Sequence, residues 1–566
     1  MAAPDEASST LRIWLLPLSI LLGFALCIFV FTFLVDTGGE PQLLALFFVP
    51  NPSAAADTIA NAGEVVAAVL GIAITVVAII VELAATRYTH RITELFVSEP
   101  VNFAVMGFFV VTALQAVFVA ITFDQEGADA TGFVPYLGFG VAMFMLAICL
   151  LILLPYFAFV FNFLNPIQIV DRIRVHTLRR IARARDAIAS RQAEAIRGVE
   201  QLADVGLNAM EHKDKGVSMA SVDALQAMVL DYQQLRDALP EAWFQVAGDL
   251  AHNPDFVSMS EDVLRAVSRR RIWYEMKVLR KYQTLYNEAL NRMRDINYLI
   301  AINTRHIAEA AIRAGNEELL DLVIKFFNTY LRATVNARDV RTAYNVLNQY
   351  RLLAEAALEH DDGARSVEIA RYFKYYGLVS FNSKLPFILE TVAYDLCALN
   401  EMAFDRGSPA APELLRIFLQ VDKESETEVQ EASLRGVRKA QVKLATHYLV
   451  KGAHAEAREV YRDMERERRE RLASIRDELL GVESSEFWEI SDRGVNFDYL
   501  PPERKKTLHE FFGWFPDLAA PVVRPRASEA PPPMPPNSKR AGRDDETLHD
   551  VPGVGRDPGA NTSVEG

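Results

Sequence analysis

Two carboxylates in an otherwise apolar segment are the residues of this chain best suited to chemistry inside a membrane. Glu64 and Glu82 lie in a stretch that is otherwise free of charge, and Arg87 follows Glu82 by little more than one helical turn. Ionisable groups within a hydrocarbon layer are costly and by default indicate an ion or proton path. The structural alternative is that Glu82 lies close enough to the membrane boundary to reach water or to pair with Arg87.

The spacing of the two acids limits what they can do together. Glu64 and Glu82 are 18 residues apart, which is close to five turns of a helix with about 3.6 residues per turn, so both lie on one face. At about 1.5 Å per residue they are about 27 Å apart and cannot form a carboxylate pair. The spacing is instead compatible with the two mouths of an aqueous path.

Nothing else in the sequence resembles a catalytic or metal site. The chain has no HExxH, no GxxxxGK[ST] and no GxSxG pattern. Its ten histidines are scattered, and His447 and His454 lack the spacing of zinc ligands. The three cysteines, Cys27, Cys149 and Cys397, cannot build a disulfide framework or a thiolate site. We therefore expect no enzymatic activity, no cofactor and no bound metal.

Four apolar stretches are long enough to place such residues within a membrane, since about 20 apolar residues cross the hydrocarbon as a helix. The first stretch competes with a secretory signal, but its apolar run exceeds the usual length of about 7–15 residues. The fourth contains Pro155, which predicts a bend. The predicted spans cover about 11–35, 63–85, 101–123 and 134–163.

Small residues follow one another at four-residue steps along the second span. Such a pattern lets helix backbones approach closely in lipid. It predicts a helix-packing face, within one chain or between copies, formed by Gly63, Ala67, Gly71 and Thr75.

The distribution of basic residues predicts the orientation of the spans. The loops after the first and third spans carry acids but no Lys or Arg, whereas Arg87 and Arg91 follow the second span. Because cytoplasmic loops carry the excess of Lys and Arg, both termini are predicted to be cytoplasmic, in a bacterial inner membrane. The arginines after the fourth span are expected to contact anionic lipid headgroups; they are Arg172, Arg174, Arg179, Arg180, Arg183 and Arg185.

The remainder of the chain predicts helices and no sheet, because helical periodicity dominates and hairpin signals are few. Single long helices are expected over 165–210 and 261–303, with shorter helices after them. The predicted fold class is all-α: four transmembrane helices, a large helical domain of repeat-like (tetratricopeptide or solenoid) type, and a disordered tail. The predicted regions are 1–165 (membrane), 166–302 (juxtamembrane long helices), 303–515 (repeat-like domain) and 516–566 (proline-rich tail).

The clearest repeat-like unit lies near the end of the helical region. Its spacing resembles a tetratricopeptide repeat, in which small residues let two helices touch and aromatic rings fill the remaining gap. Neighbouring segments match this pattern poorly, so an irregular helical domain remains an equal alternative. Both alternatives predict a surface for binding rather than a catalytic cleft. The residues of the unit are Leu444, Ala445, Tyr448, Ala457 and Tyr461.

The first 235 residues resemble an uncharacterised bacterial family of predicted membrane proteins. The second span ends in Glu82-Leu83-Ala84, and the loop after it leads to Arg91-Ile92, as in that family. The segment 196–235, with GVEQLADVGLNAM followed by VDALQAMVLDY, is similar to its soluble motif. The family usually has an Asn-Asp-Pro turn where this chain has His212-Lys213-Asp214-Lys215. The resemblance implies membrane spans and a cytoplasmic domain, and no activity.

Two functions from different classes follow from these observations. In the first, the chain is a membrane scaffold whose cytoplasmic helical domain binds a protein partner or another copy of itself. In the second, several copies form an ion channel or mechanosensitive-type pore that the cytoplasmic domain gates, because four spans are too few for an inverted-repeat transporter. The net charge of -14 argues against nucleic acid as a partner, since its recognition needs a concentrated basic face.

Overall fold

All regular structure in the described part of the chain is helical, which confirms the predicted all-α class. The computed structural model describes residues 4–38, 52–87, 92–97, 99–123, 135–184, 187–360, 362–422, 434–486, 492–516 and 518. The proline-rich tail, from residue 519, lies outside this range. Residues 43–49, an apolar segment of the loop after the first predicted span, lie outside it as well. The described residues form twenty α-helices and no strand.

Four of these helices are long and apolar enough to cross a membrane. They are α1 (Pro4–Gly38), α2 (Pro52–Arg87), α4 (Pro100–Thr122) and α5 (Tyr136–Phe163), and the short α3 (Ile92–Val97) lies between α2 and α4. The last two agree with the predicted spans to within two residues. The α2 helix begins eleven residues earlier than the predicted second span, because the Ala-rich stretch before Gly63 continues the helix.

The membrane helices form a bundle around α4, which contacts α1, α2 and α5. Gly107 allows the closest approach, because a side chain there would meet Leu21 of α1 at 2.8 Å. At the far end of the bundle, the Asp36 carboxylate accepts hydrogen bonds from the backbone N–H groups of Leu137 and Gly138, both at 2.9 Å. Asp36 thereby caps α5, whose first N–H groups have no partner within the helix.

The two long helices predicted after the membrane region are wrong. The first is divided into α6 (Pro166–Ala182) and α7 (Ile188–Glu211), with Ala187 in the left-handed region between them. The second is divided into α9 (Glu261–Arg270), α10 (Trp273–Arg292) and α11 (Arg294–Ala314). None of the three breaks contains glycine or proline, and the helices on both sides of each break keep an apolar face, so periodicity alone gives no sign of the turns.

Beyond the membrane, the helices stack in two layers. One layer, here called layer A, contains α8, α11, α13, α15, α17 and α20 in succession, and layer B contains α7, α10, α12, α14 and α16. The predicted boundary at residue 302 falls inside α11. The bounds not yet given are α8 (Lys215–Leu235), α12 (Glu317–Asn336), α13 (Val340–Glu359), α14 (Gly363–Asn382), α15 (Pro386–Asp405), α16 (Ala411–Phe418), α17 (Arg435–Val450), α18 (His454–Met464), α19 (Arg469–Gly481) and α20 (Pro502–Gly513).

A strict register of 23 residues runs through the middle of this helical array. Helices α11 to α15 begin at residues 294, 317, 340, 363 and 386. The side chains of Asn316, Asp339 and Asp362 each accept a hydrogen bond from the third backbone N–H of the helix that follows. These three side chains are N-caps, because each accepts from a backbone N–H that has no partner within its own helix. The register therefore marks the turns before α12, α13 and α14 as well as the helices.

The same register fixes the core. Buried aromatic rings of successive helices occupy equivalent positions at Phe327, Tyr350 and Phe373. Phe327 and Tyr350 stack with ring centroids 4.7 Å apart, and Tyr350 meets the edge of Phe373 at 5.3 Å. A pair of helices thus repeats every 46 residues, which differs from the step of about 34 residues in tetratricopeptide repeats and lies within the range of about 40–47 in HEAT and armadillo repeats.

Candidate functional site

One face of α2 carries both membrane carboxylates and has no neighbour among the residues that the structure describes. Glu64, Ala67, Gly71, Thr75 and Glu82 are all exposed. A side chain added at Gly71 would meet nothing within 4 Å, and the Thr75 hydroxyl donates to the Gly71 carbonyl of its own helix at 2.8 Å. The predicted arrangement of both acids on one face is therefore present, and that face points away from the bundle.

The opposite face of α2 packs against the bundle. Val66, Val77 and Val81 are buried there, and a side chain at Gly63 would lie 3.5 Å from Ala116 of α4. Among the four residues of the predicted packing face, Gly63 alone faces α4. Ala67, Gly71 and Thr75 lie on the exposed side, so they make no close packing with the other described helices.

Exposure of these acids has an energetic consequence. A carboxylate on a helix within hydrocarbon must reach water, snorkel to the interface or be covered by protein. Glu82 lies near one end of the span and Glu64 nearer the other. Arg87 ends α2, and its side chain lies outside the described residues.

The interior of the bundle contains polar groups at two levels. Near the α3 end, the Tyr156 hydroxyl donates to Asn102 Oδ1 at 3.3 Å. About 15 Å further along α4, the Cys149 thiol donates to the Thr112 hydroxyl at 3.3 Å. Gln115 is fully buried one turn beyond Thr112, and neither of its amide atoms has a hydrogen-bond partner among the described residues. Apolar side chains separate the two levels, so they do not form a continuous polar path.

The arginines predicted to contact lipid have different surroundings. Arg174 pairs with Asp171 at 2.9 Å and with Asp231 of α8 at 2.6 Å, and its hydrogen bond with Asp171 raises the pKa of its guanidinium. Arg180 pairs with Glu194 at 3.4 Å. Arg172 lies over the Phe163 ring at 4.1 Å. Arg179 and Arg183 are exposed, and Arg185 lies outside the described residues.

A buried lysine organises the first helices of the array. Lys277 is fully buried, and its ammonium donates to Glu200 at 2.7 Å and to Asn253 at 2.8 Å. It also pairs with Asp255. Burial alone raises the pKa of the Glu200 and Asp255 carboxyls, but the hydrogen bonds and charge of Lys277 outweigh burial and lower both. Every hydrogen of the ammonium has an acceptor, so the cluster stabilises the fold.

An irregular segment, residues 492–500, lies across layer A; we call it the strap. The Arg493 guanidinium donates to the Asp395 carboxylate at 2.6 and 3.2 Å and to the Tyr344 carbonyl at 2.6 Å. Arg493 and Asp395 are 5% and 2% exposed. Phe497 stacks on Tyr394 with ring centroids 4.5 Å apart. The strap therefore binds α13 and α15 as an extended ligand would.

An open cleft lies beside Asp492, the first residue of the strap. It has a volume of about 260 Å³ and is lined by residues of α8, α11 and α13 and by Asp492 of the strap. Its rim pairs Lys215 with Asp295 and Arg341 with Asp492. Asn345 is buried in its wall and donates to Asp492 at 3.0 Å, while its Oδ1 has no partner within the described part of the chain.

Histidine and cysteine side chains of the array are held by neighbours. Arg504 donates to His447 Nδ1 at 2.8 Å, so Nε2 carries the proton that His447 shares with Asp405 at 2.9 Å. Cys397 is buried, and desolvation together with the nearby Glu401 carboxylate raises the pKa of its thiol. Among the described residues, no group of three or more His, Cys, Asp and Glu side chains is arranged to hold a metal ion.

The predicted repeat-like unit lies in α17 and α18. Tyr448 packs edge-on against Phe404 of α15, with ring centroids 5.0 Å apart. Tyr461 is half-buried and meets Phe515 at 4.7 Å. The other three residues, Leu444, Ala445 and Ala457, are fully buried.

Comparison with known protein families identifies the family of this chain. A family described as "Predicted membrane protein (DUF2254)" matches residues 10–314. The chain belongs to this family. The DUF2254 match covers the four membrane helices and continues to the last residue of α11, so it includes the first helices of both layers. No curated protein and no solved structure matches the chain significantly.

The DUF2254 match extends further than the sequence resemblance, which ended at residue 235. Sequence reasoning also missed the 23-residue register and the pairing of Arg493 with Asp395. A signal for the register was present in the equal spacing of Asn316, Asp339 and Asp362, each of which precedes an apolar helical face. Nothing local predicts the ion pair, because 98 residues separate its members.

Proposed function

We propose that this DUF2254 protein is a membrane scaffold that holds a helical docking array in the bacterial cytoplasm. The four membrane helices α1, α2, α4 and α5 anchor the chain in the inner membrane with both termini inside, as the distribution of Lys and Arg favours. Layer A then presents a surface to a protein partner.

The strap is the observation that supports this proposal. It shows that layer A accepts an extended segment through one buried ion pair, one aromatic stack and hydrogen bonds to backbone carbonyls. Buried aromatic and arginine anchors of this kind dominate binding at protein interfaces. The open cleft beside Asp492 continues the same surface over α11 and α8.

Crosslinking in cells tests the docking role. A photoreactive amino acid replaces Tyr298 in the cleft of the full-length protein, and a matched variant carries it at Tyr375, which is exposed on layer B. Docking predicts crosslinks to one other protein from Tyr298 and none from Tyr375. Equal capture from both positions, or crosslinks only between copies of this chain, would contradict a docking surface on layer A.

The second candidate function is a homo-oligomeric pore, and the exposed face of α2 supports it. Several copies that turn this face towards a common axis would place Glu64 and Glu82 in water and Gly71 and Thr75 along the wall. The Glu82→Gln variant in liposomes tests the pore: reduced cation flux with unchanged assembly supports it. Glu459→Gln, which neutralises an acid of α18, is the matched control. Unchanged flux in Glu82→Gln, or no flux in the parent, would exclude a Glu82-lined pore.

A further inference from the structure

The helices of layer A run parallel and begin along one edge of the array, which we call the start edge. Asn303 of α11 donates to Asp223 of α8 at 2.9 Å, and Gln349 of α13 donates to the Tyr298 hydroxyl of α11 at 3.3 Å. Arg351 of α13 pairs with Asp395 of α15 at 3.4 Å.

The contacts at the N-termini decide the direction. Lys215 at the start of α8 pairs with Asp295 of α11, and Arg294 at the start of α11 pairs with Asp339, which precedes α13, at 2.9 Å. Arg338 before α13 donates to the Ser383 carbonyl before α15 at 3.1 Å. The four N-termini therefore lie side by side.

The start edge begins next to the membrane. The α6 helix starts three residues after α5 ends, and α7 returns antiparallel to it, with Arg180 paired to Glu194 at 3.4 Å. A side chain at Gly198 would likewise collide with Thr177. Continuing this antiparallel register places the end of α7 level with the start of α6. The turn from α7 into α8, at residues 212–214, therefore lies beside the point at which the chain leaves the membrane.

The turns at the start edge carry cations where the backbone favours glycine. Lys213, Arg338 and Lys384 precede α8, α13 and α15, and all three have left-handed φ values of 56–59°. At the opposite edge, the turns that follow α11, α15 and α17 place glycines in the same left-handed region: Gly315, Gly407 and Gly452. Ala187 and Arg271, which precede α7 and α10, also have positive φ there, but Ala187 is uncharged and Arg271 is paired with Glu241. Residues with a Cβ disfavour this conformation. Strain of this kind persists where the side chain has a function.

These three cations are exposed and are not neutralised by carboxylates. Arg338 donates to the Ser383 carbonyl at 3.1 Å, and neither Lys213 nor Lys384 forms an ion pair with the described residues. Their neighbours on the edge differ, because Lys215, Arg294 and Arg341 pair with Asp295, Asp339 and Asp492. Next to Lys384, the Phe387 ring is 45% exposed.

We propose that the start edge lies on the membrane surface and that Lys213, Arg338 and Lys384 bind the phosphate groups of anionic phospholipids. The position of residues 212–214 beside the membrane exit supplies proximity, and the unpaired cations supply charge complementarity. Phe387 enters the interface between headgroups and acyl chains, where aromatic rings are favoured. This contact is distinct from the α6 arginines and fixes the orientation of layer A relative to the bilayer.

Hydrogen exchange of the full-length protein in nanodiscs tests the proposal. The discs contain phosphatidylcholine alone or phosphatidylcholine mixed with phosphatidylglycerol. Slower exchange is expected with phosphatidylglycerol in peptides covering 212–220, 337–345 and 383–390, and no change is expected around Gly315 and Gly407. Because a cation near an anionic surface contributes about 1 kcal/mol, each removed cation should weaken the contact about fivefold.

Glycine variants distinguish loss of the lipid contact from loss of folding. The triple variant Lys213→Gly, Arg338→Gly, Lys384→Gly keeps the left-handed turns and removes the charges, so it should fold and lose the lipid-dependent protection. The matched control Arg313→Gln, Arg406→Gln, Lys451→Gln removes the same charge from the opposite edge and should retain it. Lipid-independent exchange, protection that survives in the glycine variant, or equal loss in the control would overturn the proposal. Protection that depends instead on the number of copies per disc would assign the edge to a second copy and overturn it as well.

Discussion

The membrane bundle and the helical array place charged side chains in opposite ways. In the array, buried charges find partners: Arg493 with Asp395, and Lys277 with Glu200. In the bundle, Glu64 and Glu82 face outwards. The array therefore pairs these buried charges within the chain, whereas the two carboxylates of the bundle depend on another molecule, water or the lipid interface. Buried polar atoms without a hydrogen bond among the described residues occur in both regions, at Gln115 in the bundle and at Asn345 in the array.

This difference also separates what could be predicted from what could not. The spans follow from length and hydropathy, and the common face of Glu64 and Glu82 follows from an 18-residue separation. Whether that face points into the bundle depends on the packing of α2 against α4, which no local pattern encodes. The turns at Ala187 and Met293 were missed because their residues are ordinary helix formers or apolar, and the strap was missed because its contacts are remote in sequence.

Removal of Asp395 should have the largest effect on stability. Asp395→Ala leaves the Arg493 guanidinium buried without its carboxylate and is expected to cost about 3–5 kcal/mol of unfolding free energy. Denaturant unfolding of the full chain in detergent, followed by circular dichroism, measures it. Asp492 lies in the strap beside Arg493, is exposed and pairs with Arg341 of α13. Asp492→Ala should therefore cost less than about 1 kcal/mol of unfolding free energy. Equal effects of the two variants would show that burial does not decide the energetics of the strap.

Glu275 should make the array less stable as the pH rises. Desolvation of this fully buried side chain raises the pKa of its carboxyl to about 7. The folded state therefore retains a proton that the unfolded state has already released, and stability is lost between about pH 4.5 and pH 7, by up to about 3 kcal/mol. Melting temperature against pH measures this loss.

A neutral substitution sharpens the assignment to Glu275. Glu275→Gln cannot ionise and should flatten the pH dependence in that window. Asp422→Asn is the matched control, because burial raises the pKa of Asp422 to about 6 and its contribution lies at lower pH. A slope near neutral pH that persists in Glu275→Gln would assign the dependence to another group.

Substitution of Gln115 should raise the stability of the protein, whereas the preceding substitution of Asp395 should lower it. Because both amide atoms lack partners, Gln115→Leu should stabilise the bundle by about 1–3 kcal/mol. Thr112→Val, one turn away, removes the hydroxyl that contacts Cys149 and should destabilise it. Thermal unfolding in detergent compares them. A loss of stability in Gln115→Leu would mean that the amide has a partner when the protein is in its membrane.

Gly71→Leu should leave the isolated chain almost unaffected. A side chain at Gly71 has open space around it, so monomer stability is expected to change by less than about 0.5 kcal/mol. Sedimentation in detergent should nevertheless show loss of any assembly that uses this face of α2. Gly107→Leu is the contrasting variant, since it collides with Leu21 inside the bundle and should unfold it. Unchanged assembly in Gly71→Leu would exclude this face as an interface.

Because of the 23-residue register, the array repeats along one direction in units of two helices, which we call cells. Equivalent helices of the two cells start 46 residues apart, and Phe327 and Phe373 occupy the same position in each cell. Duplication or loss of 46 residues within 294–385 would therefore change the reach of the array by a whole cell and keep the order of the two layers. Genes of this kind can lengthen by whole cells, and the distance spanned by the array can evolve separately from the membrane anchor.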